Sequence, residues 1–187
     1  MAKTIPLGAI TVAKDINGGP PLQQFFPEAA SQTFNAGKSV YLNGSGHVAD
    51  FTAGIDSGSQ RLLGFAAEDG NNLTTAVTAN ATNVGSTKSQ INSGLIGVYI
   101  SPYTIFEGNI TSNGTPIAAT LSHVAQLYPL YQDATNSYSH IDVADTGSKI
   151  NCVNTLKPAG DGFAVGDTNQ RFHFTLTPAS LQVLGTN

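Results

Sequence analysis

The chain has 187 residues, of which 40% are hydrophobic and only 11% charged, and its formal net charge is -4. Soluble domains usually carry about 25% charged residues, so polarity here rests on Ser, Thr, Asn, Gln and Gly, which argues against charge-driven disorder and for a surface weakly protected against sticking to others. The 8 Lys and Arg are scattered singly, with no basic stripe, and no apolar run approaches the length of a membrane span; nucleic-acid binding and a membrane role are both disfavoured.

The opening stretch MAKTIPLGAITVAKD lacks the long apolar segment of a secretion signal, so synthesis in a cytoplasm is expected. The Asn-x-Ser/Thr triplets at Asn43, Asn72, Asn80, Asn109 and Asn113 then reflect composition, not glycosylation. Residues 1–36 read as an extended arm. Asn17-Gly18-Gly19-Pro20-Pro21 is a breaker cluster, Leu22 to Phe26 carries apolar bulk, and Glu28–Gln32 has room for one helical turn. The adjacent Phe25 and Phe26 have to be buried, in this chain or on a neighbour.

Residues 37–69 read as a first β module. SVYL and HVADF flank an Asn-Gly turn, and RLLGFA follows as a third strand. Alternation puts Val40 and Leu42 on one face and Tyr41 on the other, and sets Leu63 and Phe65 against Leu62 and Gly64. Such spacing fits a small closed or half-closed barrel. Residues 70–120 read as a neutral connecting and contact segment with β hairpins. The Asn-, Thr- and Ser-rich part up to residue 94 is expected to be a protruding hairpin or contact loop. LIGVYISPYTIFEGNIT then returns to strand, with Pro102 marking an edge or corner. Between Asn71 and Gln132 the only formally charged side chains are Lys88 and Glu107. A stretch so long cannot be all core, and uncharged β surfaces of that kind usually meet a partner.

Residues 121–187 read as a second β module. LYPLYQDATNSYSHIDV repeats the strand-turn-strand rhythm of SVYLNGSGHVAD, and DTNQRFHFTL echoes SQRLLGF. In RFHFTL, Phe172 and Phe174 share one face. The fold expected is all-β: one or two small β-barrel or sandwich modules with an extended N-terminal arm and little helix.

No side-chain set for catalysis stands out. His47, His123, His140 and His173 show no zinc-type spacing. His140 and Asp142 lie two apart and share a strand face, whereas His47 and Asp50 fall on opposite faces. A strand histidine of this kind is expected to bond a neighbouring carbonyl or carboxylate. Most acidic residues stand beside Gly, Asn or Ser in turns, leaving Glu68, Asp69 and Glu107 near strand ends as the candidates for paired-carboxylate chemistry. Asp145-Thr146-Gly147 matches the aspartic-protease tripeptide but occurs once, and reads as a turn before Lys149. Asp161, Asp167 and Asn169 offer loop oxygens to calcium with too few carboxylates for a tuned site. The single Cys152 reads as a small hydrophobe. No catalytic residue, metal or cofactor is assigned.

Gly37-Lys38-Ser39-Val40-Tyr41-Leu42, then Gly46-His47-Val48, then Arg61-Leu62-Leu63-Gly64-Phe65-Ala66 resembles a module of tailed-bacteriophage head decoration (capsid cement) proteins, and FEGNI, LYPLY and DTNQRFHFTL are similar in style. The resemblance covers the first module well and the rest loosely. It implies a non-enzymatic virion structural protein, made in the host cytoplasm, that binds the outer capsid lattice and stabilises the head. It implies the major capsid protein as partner and a homo-oligomer, trimer or dimer. Phe25, Phe26, Tyr99, Tyr103 and Phe106 are the residues assigned to capsid or partner contact. The alternative is a glycan-binding or adhesive module of a phage fibre or spike, using tyrosines as an aromatic platform.

Overall fold

The structure, a computed structural model, describes residues 7–51, 61–76, 94–133, 138–144, 152–159, 166–178 and 181–182. The chain is nearly all β. Its strands are β1 (Thr11–Asp15), β2 (Gln23–Pro27), β3 (Ser39–Leu42), β4 (Val48–Asp50), β5 (Gly64–Ala66), β6 (Leu95–Tyr99), β7 (Thr104–Ser112), β8 (Thr115–Pro116), β9 (Leu127–Asp133), β10 (Tyr138–Asp142), β11 (Cys152–Pro158) and β12 (Arg171–Leu176), with a 3-10 turn at Leu121–His123. The Asn/Thr/Ser-rich stretch 77–93 lies outside the described residues, as do Asp145, Lys149 and Asp161.

Five strands close into a barrel in the order β7-β10-β9-β11-β12 and back to β7. All pairs are antiparallel except β7 with β10. The nine-residue β7 is the pivot. Its first half also pairs β1 and its end pairs β8. Alternation decides what fills the barrel. In β12, Phe172, Phe174 and Leu176 are buried while Arg171, His173 and Thr175 face outward. Phe106, Ile110, Tyr128, Leu130, Ile141 and Val153 complete the interior.

The second sheet has the order β2-β6-β5-β3-β4. Glu28, directly after β2, bridges Val48 of β4, and Ala29 N donates to Val48 O at 2.9 Å. One bridge therefore draws the two edges together over a core of Phe26, Phe34, Val40, Val48, Leu63, Ile96 and Val98. No helical turn forms at Glu28–Gln32. Glu28 is instead fully buried, accepting bonds from Asn71 N and Nδ2, both at 2.7 Å. The β3–β4 connection is the loop Gly44-Ser45-Gly46, closed by Asn43 N donating to His47 O at 2.9 Å. Gly46 takes the left-handed conformation (φ 76°), and Asn43 Oδ1 caps the amides of Ser45 and His47. This is a three-residue hairpin loop with its glycine at the αL position.

The predicted segments do not fold as separate pieces. The N-terminal stretch is extended, but it gives β1 to the barrel and β2 to the second sheet. The 70–120 segment gives β6 to the second sheet and β7 and β8 to the barrel. The internal echo also stops short of topology: β5 pairs with its hairpin strand β3, whereas β12 pairs with β11 and β7.

Strict alternation fails at β5. Leu63 N donates to Val40 O at 2.8 Å, while Gly64 is also set opposite Val40. Two residues thus face one, as in a β-bulge. The bulge reverses the faces: Leu63 enters the second sheet's core, and Phe65 points into the barrel's core. The Phe65 ring lies 4.8 Å from Phe106 and 5.9 Å from Phe174, edge-on to both. The joint continues in polar form. Ser39 N donates to Ser139 Oγ at 3.2 Å, the two hydroxyls are 2.9 Å apart, and Gln132 Nε2 donates to Ser39 Oγ. Gln182 closes the far side by bonding both N and O of Leu42.

Gly64 is sterically required at the bulge. A Cβ there would stand 2.0 Å from Tyr99 O and 2.9 Å from its carbonyl carbon. Both obstacles are backbone of β6, which cannot rotate away. Gly64→Ala is therefore expected to lower stability by about 3 kcal/mol, the upper end of overpacking costs, whereas Gly44→Ala, with nothing within 4 Å, leaves it nearly unchanged. Urea unfolding midpoints of the two variants check this.

Candidate interaction surface

The chain crosses between barrel and second sheet twice at one end of the molecule. The β1–β2 connection (16–22) runs beside the β6–β7 turn (100–103): Ile16 N donates to Tyr103 O at 2.8 Å and Ile100 N to Leu22 O at 3.4 Å. Apolar side chains sit on top of these bonded backbones. Tyr103 is 61% exposed, Ile16 54% and Leu22 47%. From residue 16 to 27, and from 94 to 106, there is no charged side chain. Pro20, Pro21 and Pro102 stiffen both segments. This is an exposed apolar tip of fixed backbone, of the kind that single scattered surface hydrophobes do not make.

Of the residues assigned to partner contact, Tyr103 alone is exposed. Phe25, Phe26 and Phe106 belong to the chain's own interior, at 5%, 2% and 0% exposure. That is a correction to their reading as contact residues. Phe26 enters the second sheet's core and Phe106 the barrel's. Phe25, on the opposite face from Phe26, is opposite Gly97, where a Cβ would meet the Gln23 Nε2 at 2.1 Å and the Phe25 ring at 3.0 Å. Tyr99 is half-buried against the barrel core. It lines an apolar groove of 330 Å³ with Ile10, Val12, Phe65, Ala66 and Phe106. Ile16 was not singled out by sequence, because its exposure depends on where the chain turns after β1.

The ionisable groups are placed as clips. Arg171 Nε donates to Glu107 Oε1 at 2.6 Å, Nη1 to Asn109 Oδ1 at 3.2 Å, and Nη2 to Ala9 O, Thr11 Oγ1 and Glu107 O at 2.8–3.1 Å. One guanidinium thus ties β12 to β7 and to the chain entering β1. His173 Nε2 lies 3.6 Å from Glu107 Oε2. Burial lowers the His173 pKa, against the pull of Glu107 and with the push of Lys157 and Lys14. Lys38, nearly buried, has its Nζ 3.8 Å from Asp50 Oδ1. Burial pushes the lysine down and the aspartate up, each opposed by the other's charge.

His140 and Asp142, which share a strand face, do not bond each other. The Asp50 carboxylate lies beside Lys38. Asp142 Oδ1 caps the amides of Asn113 and Ala144 at 2.9 and 3.0 Å, and His140 bonds nothing. Glu68 Oε1 accepts from Gly97 N at 2.8 Å, Asp69 Oδ1 from Ala36 N at 2.7 Å, and Glu107 is held by Arg171, so the carboxylates are spent on separate structural bonds. His123 accepts from Thr120 N through Nδ1 at 3.3 Å. Asp167 and Asn169 are buried where their loop bonds residues 117 and 119 through the backbone. Among the described residues no group of three or more His, Cys, Asp or Glu converges as for a metal ion, and no helix is long and apolar enough to cross a membrane. No family model, curated protein or solved structure matches the chain.

The Arg171 fork carries a direct test. Lysine keeps the charge but cannot reproduce several divergent bonds from one planar group. Arg171→Lys is expected to cost about 2 kcal/mol, the scale of losing charged hydrogen bonds with buried acceptors left behind, and to free the start of β1. Denaturant unfolding and amide exchange at residues 8–12 report the two effects.

Proposed function

We propose that the protein is a non-enzymatic virion structural protein that binds the outer capsid lattice of a phage head and stabilises it. The observation that carries this reading is the apolar tip of Ile16, Leu22 and Tyr103. It stands on the two crossings that join barrel to second sheet, with the Asp15 carboxylate at its edge, bonded to Asn17 N. An apolar, Tyr-bearing surface with charge only at its rim suits the desolvated centre of a protein interface, where aromatic residues dominate and charged ones are depleted. The resemblance of residues 37–66 to head decoration proteins supports this reading and suggests the major capsid protein as the partner, with the protein on the virion surface. Repetition of one modest interface around a lattice supplies strength through multivalency, and a dimer or trimer would add to it.

The test uses undecorated heads of the phage that carries the gene. The wild-type chain is expected to bind saturably and to raise the temperature at which the heads break open. Leu22→Ser combined with Tyr103→Ser weakens binding about tenfold or more, the effect of removing an anchor worth at least about 1.4 kcal/mol, while the isolated chain melts as before. Absence of saturable uptake by wild type overturns the reading. Binding to arrayed glycans that is lost with Tyr103 would move it to the adhesive alternative.

A further inference from the structure

Strand register assembles a row of side chains across the outer face of the barrel. Thr11 of β1 is opposite Glu107 of β7, His173 of β12 is opposite that same Glu107, and Lys157 of β11 is opposite His173. Directly opposed residues share a sheet face. This one is the outer face, because His173 alternates with the inward Phe172 and Phe174. Lys14 lies on it too: it is opposite Ile105, which like Glu107 alternates with the inward Phe106. Four adjacent strands thus carry Lys14 and Lys157 on one surface, roughly 14 Å apart at the usual strand spacing.

The charges of this face do not cancel. Arg171 is matched by Glu107 at 2.6 Å. Burial holds His173 below its ordinary pKa, so it adds no charge near neutrality. Lys14 and Lys157 are exposed and make no ion pair among the described residues. Asp15 falls on the opposite face by alternation and bonds Asn17 N. Of the Lys and Arg among the described residues, only Lys38 and Arg61 lie elsewhere. A chain of net charge -4 therefore gathers its unmatched positive charge on one side. A lysine on an edge strand serves to block unwanted strand pairing, which accounts for Lys14. It does not account for Lys157, because β11 is paired on both sides, with β12 and with β9. The face is also continuous with the apolar tip, since β1 ends at Asp15 and Ile16 follows.

We propose that this face extends the contact surface and receives carboxylates of an acidic protein partner, with Lys14 and Lys157 forming ion pairs at the rim while Ile16, Leu22 and Tyr103 bury the centre. The inference rests on the capsid reading above for the identity of the partner and adds its chemistry: an apolar site with acidic side chains beside it. Such complementarity sets encounter rate and orientation more than final affinity. Nucleic acid is a poorer match. It presents a charge about every 1.7 Å of duplex, of which two lysines on a chain of net charge -4 neutralise few.

Association with undecorated heads, measured at about 0.05 M and about 0.5 M salt to span weak and strong screening, tests the inference. Wild type is expected to associate faster at low salt. Lys14→Gln combined with Lys157→Gln slows association there about fivefold, the scale of two exposed ion pairs, and loses most of the salt dependence. Ser45→Glu combined with Thr115→Glu changes the net charge equally at exposed sites away from the row and leaves association near wild type. A Gln variant as fast as wild type, equal slowing in both double variants, or wild-type association indifferent to salt overturns the inference and leaves the capsid reading in place. No saturable uptake of wild type at either salt overturns both. Duplex DNA bound by wild type and released by the Gln variant assigns the row to phosphate and overturns the inference as well.

Discussion

The insertion of Phe65 into the barrel is the contact on which the rest of the architecture rests. Its ring leaves its own sheet and packs edge-on against Phe106 and Phe174, which are themselves stacked 5.7 Å apart. Without it the molecule would be two small β units, each with a thin core and too little buried area to be robust alone. With it, Phe51, Leu62 and Phe65 of the second sheet belong to the same apolar cluster as the barrel interior. The insertion depends on one extra residue in β5. The bulge at Leu63-Gly64 lets Leu63 and Phe65, two residues apart, serve two cores, and the missing side chain at Gly64 lets β6 approach closely.

A chain with so few charges uses them differently from an ordinary soluble domain. On a typical surface most ion pairs contribute little. Here Arg171 and Glu28 sit where segments distant in sequence must meet, and Lys38 and Asp50 face each other across the β3–β4 hairpin. Arg171 gathers residues 9, 11, 107 and 109, and Glu28 holds the start of the 71–76 segment. Glu28 also shows what such placement costs, for burial raises its pKa despite the bonds from Asn71. With most described charges at such joints, Asp15, which bonds Asn17 N and pairs opposite Thr104, is the charge at the edge of the apolar residues Ile16, Leu22 and Tyr103. Low charge, read from composition as a sign of partners, and the exposed tip are two aspects of one arrangement.

What could be read from sequence followed from local chemistry. RFHFTL announced its faces because period-2 alternation survives the folding of a regular strand, and Asn43, Gly44 and Gly46 announced a turn because few other residues tolerate its backbone. The all-β class followed from turn spacing and β-branched runs. What could not be read depended on long-range geometry. Leu63 and Phe65 were placed together by alternation, and a bulge separates them; nothing in RLLGFA marks it except a glycine with several other uses. Phe25 and Phe26 looked like bulk for a partner because adjacent strand residues face opposite ways and only one can enter a given core. Phe25 is buried on its own face opposite Gly97, a strand partner more than seventy residues away. The Arg171–Glu107 clip is likewise a fact of register, and one sequence without relatives holds no record of which strand lies beside which.

The tip and the seam lie on a common mechanical frame. The two crossings that carry Tyr103 and Ile16 join the same pair of sheets that Phe65 and Ser39 hold together. The joint itself mixes two kinds of contact with different responses. The aromatic part buries apolar area with little directional demand, and the hydroxyl part, through Ser39, Ser139 and Gln132, fixes the position at which the two sheets meet.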